Sequence, residues 1–594
     1  MCRIAGIVTN HFNEEIAGRQ VTAMCNAMQH GGPDDAGLYT DVALGIAFGH
    51  RRLSIIDLST NGHQPKADSQ NLARITFNGE IYNYRELRSQ LVKAGAVFTS
   101  ETDTEVILQA YLHWGTAAFA ALKGMFAFAL YDARQQAVYL VRDSAGIKPL
   151  YYSTQNGQFI FASEIRAFNA AGFNLAADER WPAWLLAYGH IPEPFTTLNG
   201  VFSLPKGHYL CRQKNGRTEL KQYITDTTLI KITTAAEAKQ GIAASLQSAV
   251  TRQLISDAPI GVFLSGGIDS SILSLLASAT AETQLKTISI FFDERQYDER
   301  QYQQAIIEKI PGQNFNHLVT AADFEELFPQ VLKAMDMPTI DGINSWFISK
   351  YAHDGGLKAV LSGIGADELY GGYASFGRIK LIQYLRNLPR AALKSFSKIA
   401  LNNYKRIAYL AYDHPAADYL FLRGLFPFAD IARILDISQR QLKDILFGEN
   451  TPLIRSPYNG ELASWFETNF YMQNQLLRDT DVMSMSHGLE VRVPFLDEDF
   501  RHFTAQVDAG LKFNNGRPKQ LLIDSFSNIL PEAVWNRPKM GFSFPLTQWM
   551  RNHTNVSNEG LYQGKFAKEA IRDFKAGKLH WSKAYALYQI QKHG

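Results

Sequence analysis

Cysteine is nearly missing from this chain: Cys2, Cys25 and Cys211 are three among 594 residues. So sparse and odd a set excludes a disulfide framework and favours a reducing compartment. An excess of one charge is missing too. The 59 Lys and Arg stand against 57 Asp and Glu, a formal net charge of +2. Nothing there points to a nucleic-acid binder held by phosphate neutralisation. No apolar run reaches the roughly 18 residues that span a bilayer, and the longest, such as Met125 to Tyr131, reads as a buried strand. No basic segment leading into an apolar core opens the chain, so no secretory signal is expected and a cytoplasmic location is. Internal repeats and low-complexity tracts are absent as well. What remains is ordinary globular composition, 46% hydrophobic and 20% charged, with chain enough for two to four domains at about 150 residues each.

The first part of the chain is rich in short β-type runs: Ile4 to Val8, Leu44 to Phe48, Arg74 to Phe77, Phe126 to Tyr131, Ala137 to Arg142 and Phe159 to Ala162. Two helical patterns interrupt them, Glu15 to Gln29 and Thr104 to Trp114, and the sum is a layered α+β unit. Pro205 to Asp226 loosens into a Lys-, Gly- and Asn-rich stretch, which predicts a first domain over 2–205 and a linker over 206–234. From Ala235 onward strands alternate with helices. A helix to Ile255, a strand Ile260 to Leu264, a helix Ser271 to Ala279, and strands Lys286 to Phe292 and Lys358 to Leu361 predict a doubly wound parallel sheet in a second domain, 235–594. Its region from Ile379 to Leu530 reads as mostly helical.

The sharpest motif is Leu264-Ser265-Gly266-Gly267-Ile268-Asp269-Ser270-Ser271, between a strand and a helix. Two glycines let backbone wrap closely on an anion, and loop N–H groups with a helix N-terminus supply positive potential. The lysine of a Walker A loop is lacking, and Asp269 suits a Mg²⁺ that bridges phosphates. A second loop, Ser362-Gly363-Ile364-Gly365-Ala366-Asp367-Glu368, also follows an apolar strand and adds a second carboxylate, Asp367. Both loops at the carboxyl ends of parallel strands make a cleft. In the first domain, the Asn78 side chain and the Gly79 N–H could form an oxyanion hole. Arg52 could grip a carboxylate bidentately. Asp103 could bind an ammonium, although capping a helix is the commoner role of such an Asp. Cys2 stands out by position. Removal of Met1 would leave its thiol beside a free α-amine, which can serve as its base.

These residues carry a family likeness. Cys2, His30 with Gly32-Pro33-Asp34, Arg52-Leu53-Ser54, Asn78-Gly79-Glu80 and Asp103 resemble a class II glutamine amidotransferase domain. With the two Ser-Gly loops downstream, and with Leu477 to Asp481, Glu490 to Asp497 and Arg537 to Phe542, nearly the whole chain resembles the glutamine-hydrolysing asparagine synthetases. The resemblance implies an Ntn-type αββα glutaminase sandwich followed by an ATP-pyrophosphatase domain. It implies Cys2 as nucleophile, Asn78 and Gly79 as oxyanion hole, and glutamine held by Arg52, Leu53, Ser54, Ile55, Ile56, Asn78, Gly79, Glu80 and Asp103. It implies ATP on Leu264, Ser265, Gly266, Gly267, Asp269, Ser270, Ile290, Ser362 and Gly363, with Mg²⁺ on Asp269 and Asp367. Lys519 matches the lysine that stabilises charge near an acyl-adenylate, and ammonia passes between the sites through a tunnel. The partners implied are small molecules (glutamine, ATP and a carboxylate acceptor) and a second copy in a homodimer.

Four positions depart from the pattern. Arg3 stands where a small residue follows the cysteine, and Gly31 where the His-Arg-Gly-Pro-Asp motif has arginine; either could alter glutaminase efficiency. Ile364 and Met337 replace acidic residues near the expected acceptor pocket and make it more apolar. A non-aspartate acceptor, such as a sugar uronate, a peptide carboxylate or a specialised metabolite, therefore stands beside aspartate. A β-lactam synthetase-like cyclase is disfavoured by the intact Cys2, Arg52, Asn78 and Asp103. A catalytically silent protein is disfavoured by the presence of Cys2, Asp269 and Lys519.

Overall fold

Alternation builds the first strand, Arg3–Thr9. Ile4 and Val8 turn to one face and Ala5 and Ile7 to the other, and both faces are covered; side chains on a strand alternate, so both sets must be apolar. The computed structural model describes residues 2–9, 13–224, 230–280, 284–399, 402–448, 457–513 and 516–593.

Two six-stranded antiparallel sheets form the N-terminal unit. The first has the order Val201–Ser203, Tyr151–Ser153, Gln158–Ala162, Arg3–Thr9, Ile46–Arg52, Asp35–Asp41; the second runs Thr218–Gln222, His208–Gln213, Ala137–Arg142, Gly124–Asp132, Ala73–Ile81, Lys66–Ala67. Ile4, Phe48, Ala127, Leu140 and Phe161 fill the layer between them. Helix Glu14–Ala27 covers the first sheet through Ala17, Val21 and Met24, and helices Tyr84–Lys93 and Asp103–Trp114 cover the second. That is the αββα sandwich the resemblance implies.

The expected linker over 206–234 needs correction. His208–Gln213 pairs with Ala137–Arg142, and Thr218–Gln222 pairs back on it, so the sandwich continues to Gln222. The Lys-Asn-Gly stretch is the turn of this hairpin, with Gly216 at φ +86° and Gln213 N–H on Arg217 O at 3.0 Å. Part of the expected linker, residues 225–229, lies outside the described residues.

The C-terminal unit holds a five-stranded, wholly parallel sheet in the order Gly312–Leu318, Leu285–Phe291, Ile260–Phe263, Ala359–Leu361, Glu490–Arg492. Helices Ala235–Gln253 and Ile268–Thr280 pack on one face, and helix Ile343–Asp354 packs on the other. Beyond Leu361 the described chain is almost entirely helical. Apolar packing runs without a break from the outer face of the first sheet into this helical region.

Candidate functional site

Cys2 directly precedes the first strand, and its backbone N–H donates to Asn78 Oδ1 at 3.3 Å across the sandwich. Asn78 and Gly79 lie in strand Ala73–Ile81. A Cβ at 79 would stand 2.1 Å from the Met125 carbonyl oxygen, so only glycine brings this backbone so close to its neighbour. Asn78 Nδ2 is buried without a hydrogen-bond partner. Burial pushes the Cys2 thiol up to about 11, against which the Leu53 N–H and the Arg52 guanidinium act.

Arg52 ends strand Ile46–Arg52. Loop carbonyls fix its guanidinium: Ser59 O accepts from Nη1 at 2.7 Å, and Asp57 O accepts from Nη2. The loop that follows is tied on both sides, Ser54 N–H to Asp34 at 2.8 Å and Asp57 N–H to Asp257 at 2.8 Å. Leu53 and Ile55 are buried and Ile56 partly so. Asp103 is the first residue of its helix, which Thr102 caps, and its carboxylate accepts from Ile81 N–H at 3.0 Å. Asp103 therefore is not the cap. Burial lifts its carboxyl to about 6. Glu80 is held well above the usual carboxylate range by burial and by Glu490. Arg492 Nη2, from the parallel sheet, lies 3.7 Å from it.

The second cluster lies at the carboxyl ends of the parallel strands, around a cavity of about 1200 Å³. Leu264, Ser265, Gly267, Asp269, Ser270, Ser362, Gly363, Ile364, Asp367 and Lys519 all line it. Helix Ile268–Thr280 begins inside the Ser-Gly motif, which puts Asp269 in its first turn. Ser265 and Ser270 hydroxyls pair at 3.0 Å, and Ser265 Oγ accepts from Gly267 N–H at 3.3 Å. Lys519 Nζ donates to Asp269 at 2.6 Å and also pairs with Asp367, which takes Lys539 Nζ at 2.7 Å. The two carboxylates thus converge on one ammonium, which they hold well charged. Asp269 Oδ1 is buried with no partner. Two convergent carboxylates with a free oxygen fit Mg²⁺, which takes one or two protein carboxylates and completes its shell with water and phosphate.

Three of the expected site residues do not line the cavity. Gly266 is a turn residue at φ +79°, whose carbonyl accepts from Arg537 Nη2 at 2.9 Å; it does not line the cavity. Ile290 is a core residue, its carbonyl taken by Gln303 at 3.1 Å. Met337 is buried in the core shared by the two units and does not line the cavity either. It follows Asp336, which accepts from Ile165 N–H and Arg166 N–H, so this segment faces the sandwich. Ile364 does stand in the cavity wall.

Cavity residues with no assigned role in the motifs come from remote segments. Asp479 bonds Thr339 and Arg478, and burial lifts its carboxyl to about 6. Glu368, bonded by the Tyr373 hydroxyl at 2.7 Å, is pushed by burial up to about 7. Tyr188, Tyr419, Tyr471 and Trp581 line the cavity as well. Glu368 had a local signal in its place beside Asp367, and Asp479 in the Leu477 to Asp481 match; the aromatic residues had none.

Residues 241–592 match the asparagine synthase family and residues 1–224 the glutamine amidotransferase domain family. Asparagine synthetase [glutamine-hydrolyzing] 1 of Bacillus subtilis is 32% identical, covering 93% of this chain and 89% of its own. A putative asparagine synthetase [glutamine-hydrolyzing] of Mycobacterium bovis is 30% identical over 90% and 85%. The amidase chry2 of Gibberella zeae is 26% identical over 99% and 97%. Among solved structures, the glutamine phosphoribosylpyrophosphate amidotransferase of B. subtilis covers 54% of this chain and 81% of its own at 14% identity and a TM-score of 0.30, which carries no weight for the chemistry.

Proposed function

The chain belongs to the asparagine synthase family and is a glutamine-dependent, ATP-using ligase, and from that premise we propose that it amidates a carboxylate other than free aspartate. Cys2, freed by removal of Met1, attacks the glutamine carboxamide carbon. Its α-amine, with an ordinary pKa near 8, takes the thiol proton and returns it to the departing ammonia. Charge developing on the carbonyl oxygen falls to Asn78 Nδ2–H and Gly79 N–H. The unpartnered, buried Asn78 Nδ2 supports this role. Such an orphan donor costs about 1–3 kcal/mol, and a developing oxyanion relieves that cost. Arg52 takes the glutamine α-carboxylate above Leu53 to Ile56, and Glu80 with Asp103 takes its α-ammonium. Water hydrolyses the thioester to glutamate.

In the synthetase half, ATP lies along Leu264 to Ser270 and Ser362-Gly363. An acceptor carboxylate oxygen attacks the α-phosphorus, and pyrophosphate leaves. Asp269 and Asp367 would hold Mg²⁺, which when bound neutralises phosphate charge. Lys519 keeps a fixed positive charge at the same point. Ammonia then attacks the acyl carbon, and AMP leaves with the electron pair of the acyl C–O bond. Pockets for a small ligand measure about 300–1,000 Å³, so about 1200 Å³ gives room for a nucleotide and an acceptor together.

The observation that carries the acceptor reading is Ile364 in the cavity wall. It offers an amino acid's ammonium no counter-ion. The acids nearby are bonded within the protein: Asp341 accepts from Gly342 N–H at 2.8 Å, and Asp479 and Glu368 have the partners given above. Burial also pushes all three toward their neutral forms. A pyrophosphate-release screen over carboxylates with ATP, Mg²⁺ and glutamine tests this. Aspartate is expected to stay at the acceptor-free background while another carboxylate does not. Robust asparagine formation overturns the acceptor reading alone. Cys2→Ala is expected to abolish glutamine-dependent product and to leave ammonium-dependent product intact.

A further inference from the structure

Two of the residues that depart from the family pattern lie against each other. A Cβ at position 31 would stand 2.8 Å from Arg3 Nε and 2.9 Å from Arg3 Cγ, so Arg3 fills the space that any side chain at 31 would need. Arg3 is fully buried. Its Nε–H donates to Glu164 at 2.6 Å and its Nη1–H to Asp481 at 2.8 Å. Glu164 belongs to the sandwich, where it also pairs with His30 at 3.0 Å. Asp481 belongs to helix Arg478–Met485 of the C-terminal unit, and Lys148 reaches it as well, at 2.7 Å. The guanidinium therefore joins the two units through a directional contact shielded from water.

What it joins bears on the reaction. Arg3 directly follows the nucleophile, and the strand period turns neighbouring side chains to opposite faces. On an α-helix, residues two apart stand roughly 200° around the axis. Asp481 accordingly meets Arg3 while Asp479 lines the cavity. One ion pair thus has Cys2 a single residue away at one end and the cavity wall two residues away at the other. A buried ion pair is weak evidence for stability, because desolvation offsets the attraction. Its strength lies in fixing geometry, since a guanidinium fork holds its carboxylates in direction as well as distance.

We propose that Arg3 is a positioning residue that holds the nucleophile strand in register with the cavity-lining helix, with Gly31 leaving it room, so that ammonia freed at Cys2 reaches the cavity rather than solvent. The proposal rests on the amidotransferase reading above.

The test uses the full chain with ATP, glutamine and the best acceptor, measuring glutamate and pyrophosphate in one reaction. Arg3→Met is expected to raise the glutamate-to-pyrophosphate ratio about three- to thirtyfold, the range of mutational coupling between sites. Pyrophosphate release driven by ammonium chloride is expected to stay unchanged. Gly31→Ala removes no charge but displaces Arg3, and the ratio is expected to rise with it. Arg3→Ala combined with Gly31→Arg brings a guanidinium back from the other side and is expected to restore the ratio. A parental ratio in both Arg3→Met and Gly31→Ala overturns the proposal alone. So does a changed ratio accompanied by equal loss of ammonium-driven activity, which marks general disruption. Absence of glutamate formation in the unaltered protein overturns the amidotransferase reading, and the proposal with it.

Discussion

Lys519 occupies a backbone conformation that only a few residues tolerate, φ +61° and ψ +19°, at the mouth of helix Gln520–Ser525. A non-glycine residue held there costs of order 1 kcal/mol, and such strain gathers where surrounding structure fixes a functional group. Here it aims one ammonium at both Asp269 and Asp367. Without that charge the two half-buried carboxylates face each other across the cavity wall. Lys519→Met keeps the length and removes the charge. Pyrophosphate release is expected to fall about 10²–10³-fold, as when one preorganised electrostatic contact is lost. Glutamate formation at Cys2 is expected to persist in the same preparation. Pyrophosphate release within tenfold of the parent would sink the assignment. The ammonium of Lys539, also on Asp367 at 2.7 Å, is the group that could then have taken over.

Among the elements, the short helix Ala366–Tyr370 depends on a glycine before it. Gly365 sits at φ +106°, and a Cβ there would come within 2.8 Å of Leu496 Cδ2. Gly365→Ala is expected to lower unfolding free energy by about 1–3 kcal/mol through backbone strain and the clash. It would also displace Asp367, two residues on, so the KM for ATP is expected to rise in pyrophosphate release while glutamine hydrolysis does not change. An unaltered denaturation midpoint would show that the loop adjusts freely. The sequence carries this element because its signal is contiguous: an apolar strand, a Ser-Gly turn and an acidic first turn. The same holds for the first strand and for Gly124–Asp132, buried throughout. Among the strands that escaped notice, three did so for opposite reasons. Asp35–Asp41 and Gly312–Leu318 lie at sheet edges, half exposed and polar, so their alternation is blurred. Glu490–Arg492 is three residues long and exists only because it pairs with the distant Ala359–Leu361. For the site, the two loops and the Cys2 cluster were legible as local motifs. Asp479, Arg537 and Arg492 fell within stretches that carried the family likeness, but only tertiary packing brings these remote segments to the site. Met337 misled because a match to the family pattern does not say which side of a segment faces the cavity.

The whole molecule is held together by more than shared apolar core. Lys123 pairs with Asp499 at 2.7 Å, Lys358 with Asp34 at 2.6 Å, and Arg3 and Lys148 with Asp481. Carboxylates at this junction show opposite pH behaviour. Asp481 is held below the usual carboxylate range by Arg3 and Lys148, despite its burial. Its contribution is present above the unfolded value near 4 and is lost as pH falls. Glu498 is the reverse case. It accepts from the Ser144 hydroxyl at 2.9 Å across the same junction, and burial pushes its carboxyl up to about 7. A folded pKa above the unfolded value near 4.3 means stability that is full below the unfolded value, is lost as pH rises toward about 7 and changes little beyond it. The junction is therefore expected to be firmest near the ordinary carboxylate values and to loosen as pH rises toward about 7. Glu498→Gln keeps an oxygen for Ser144 and cannot ionise. Thermal unfolding midpoints of both proteins between about pH 5.5 and about pH 8 decide the matter. The parent's midpoint is expected to decline more steeply across that window, with the variant overtaking it at the alkaline end. Parallel curves would mean that Glu498 is already ionised in the folded molecule across this window, as it is when unfolded. The loosening would then have to come from Glu368, lifted to about 7 inside the cavity, where a bound nucleotide rather than the junction would govern it.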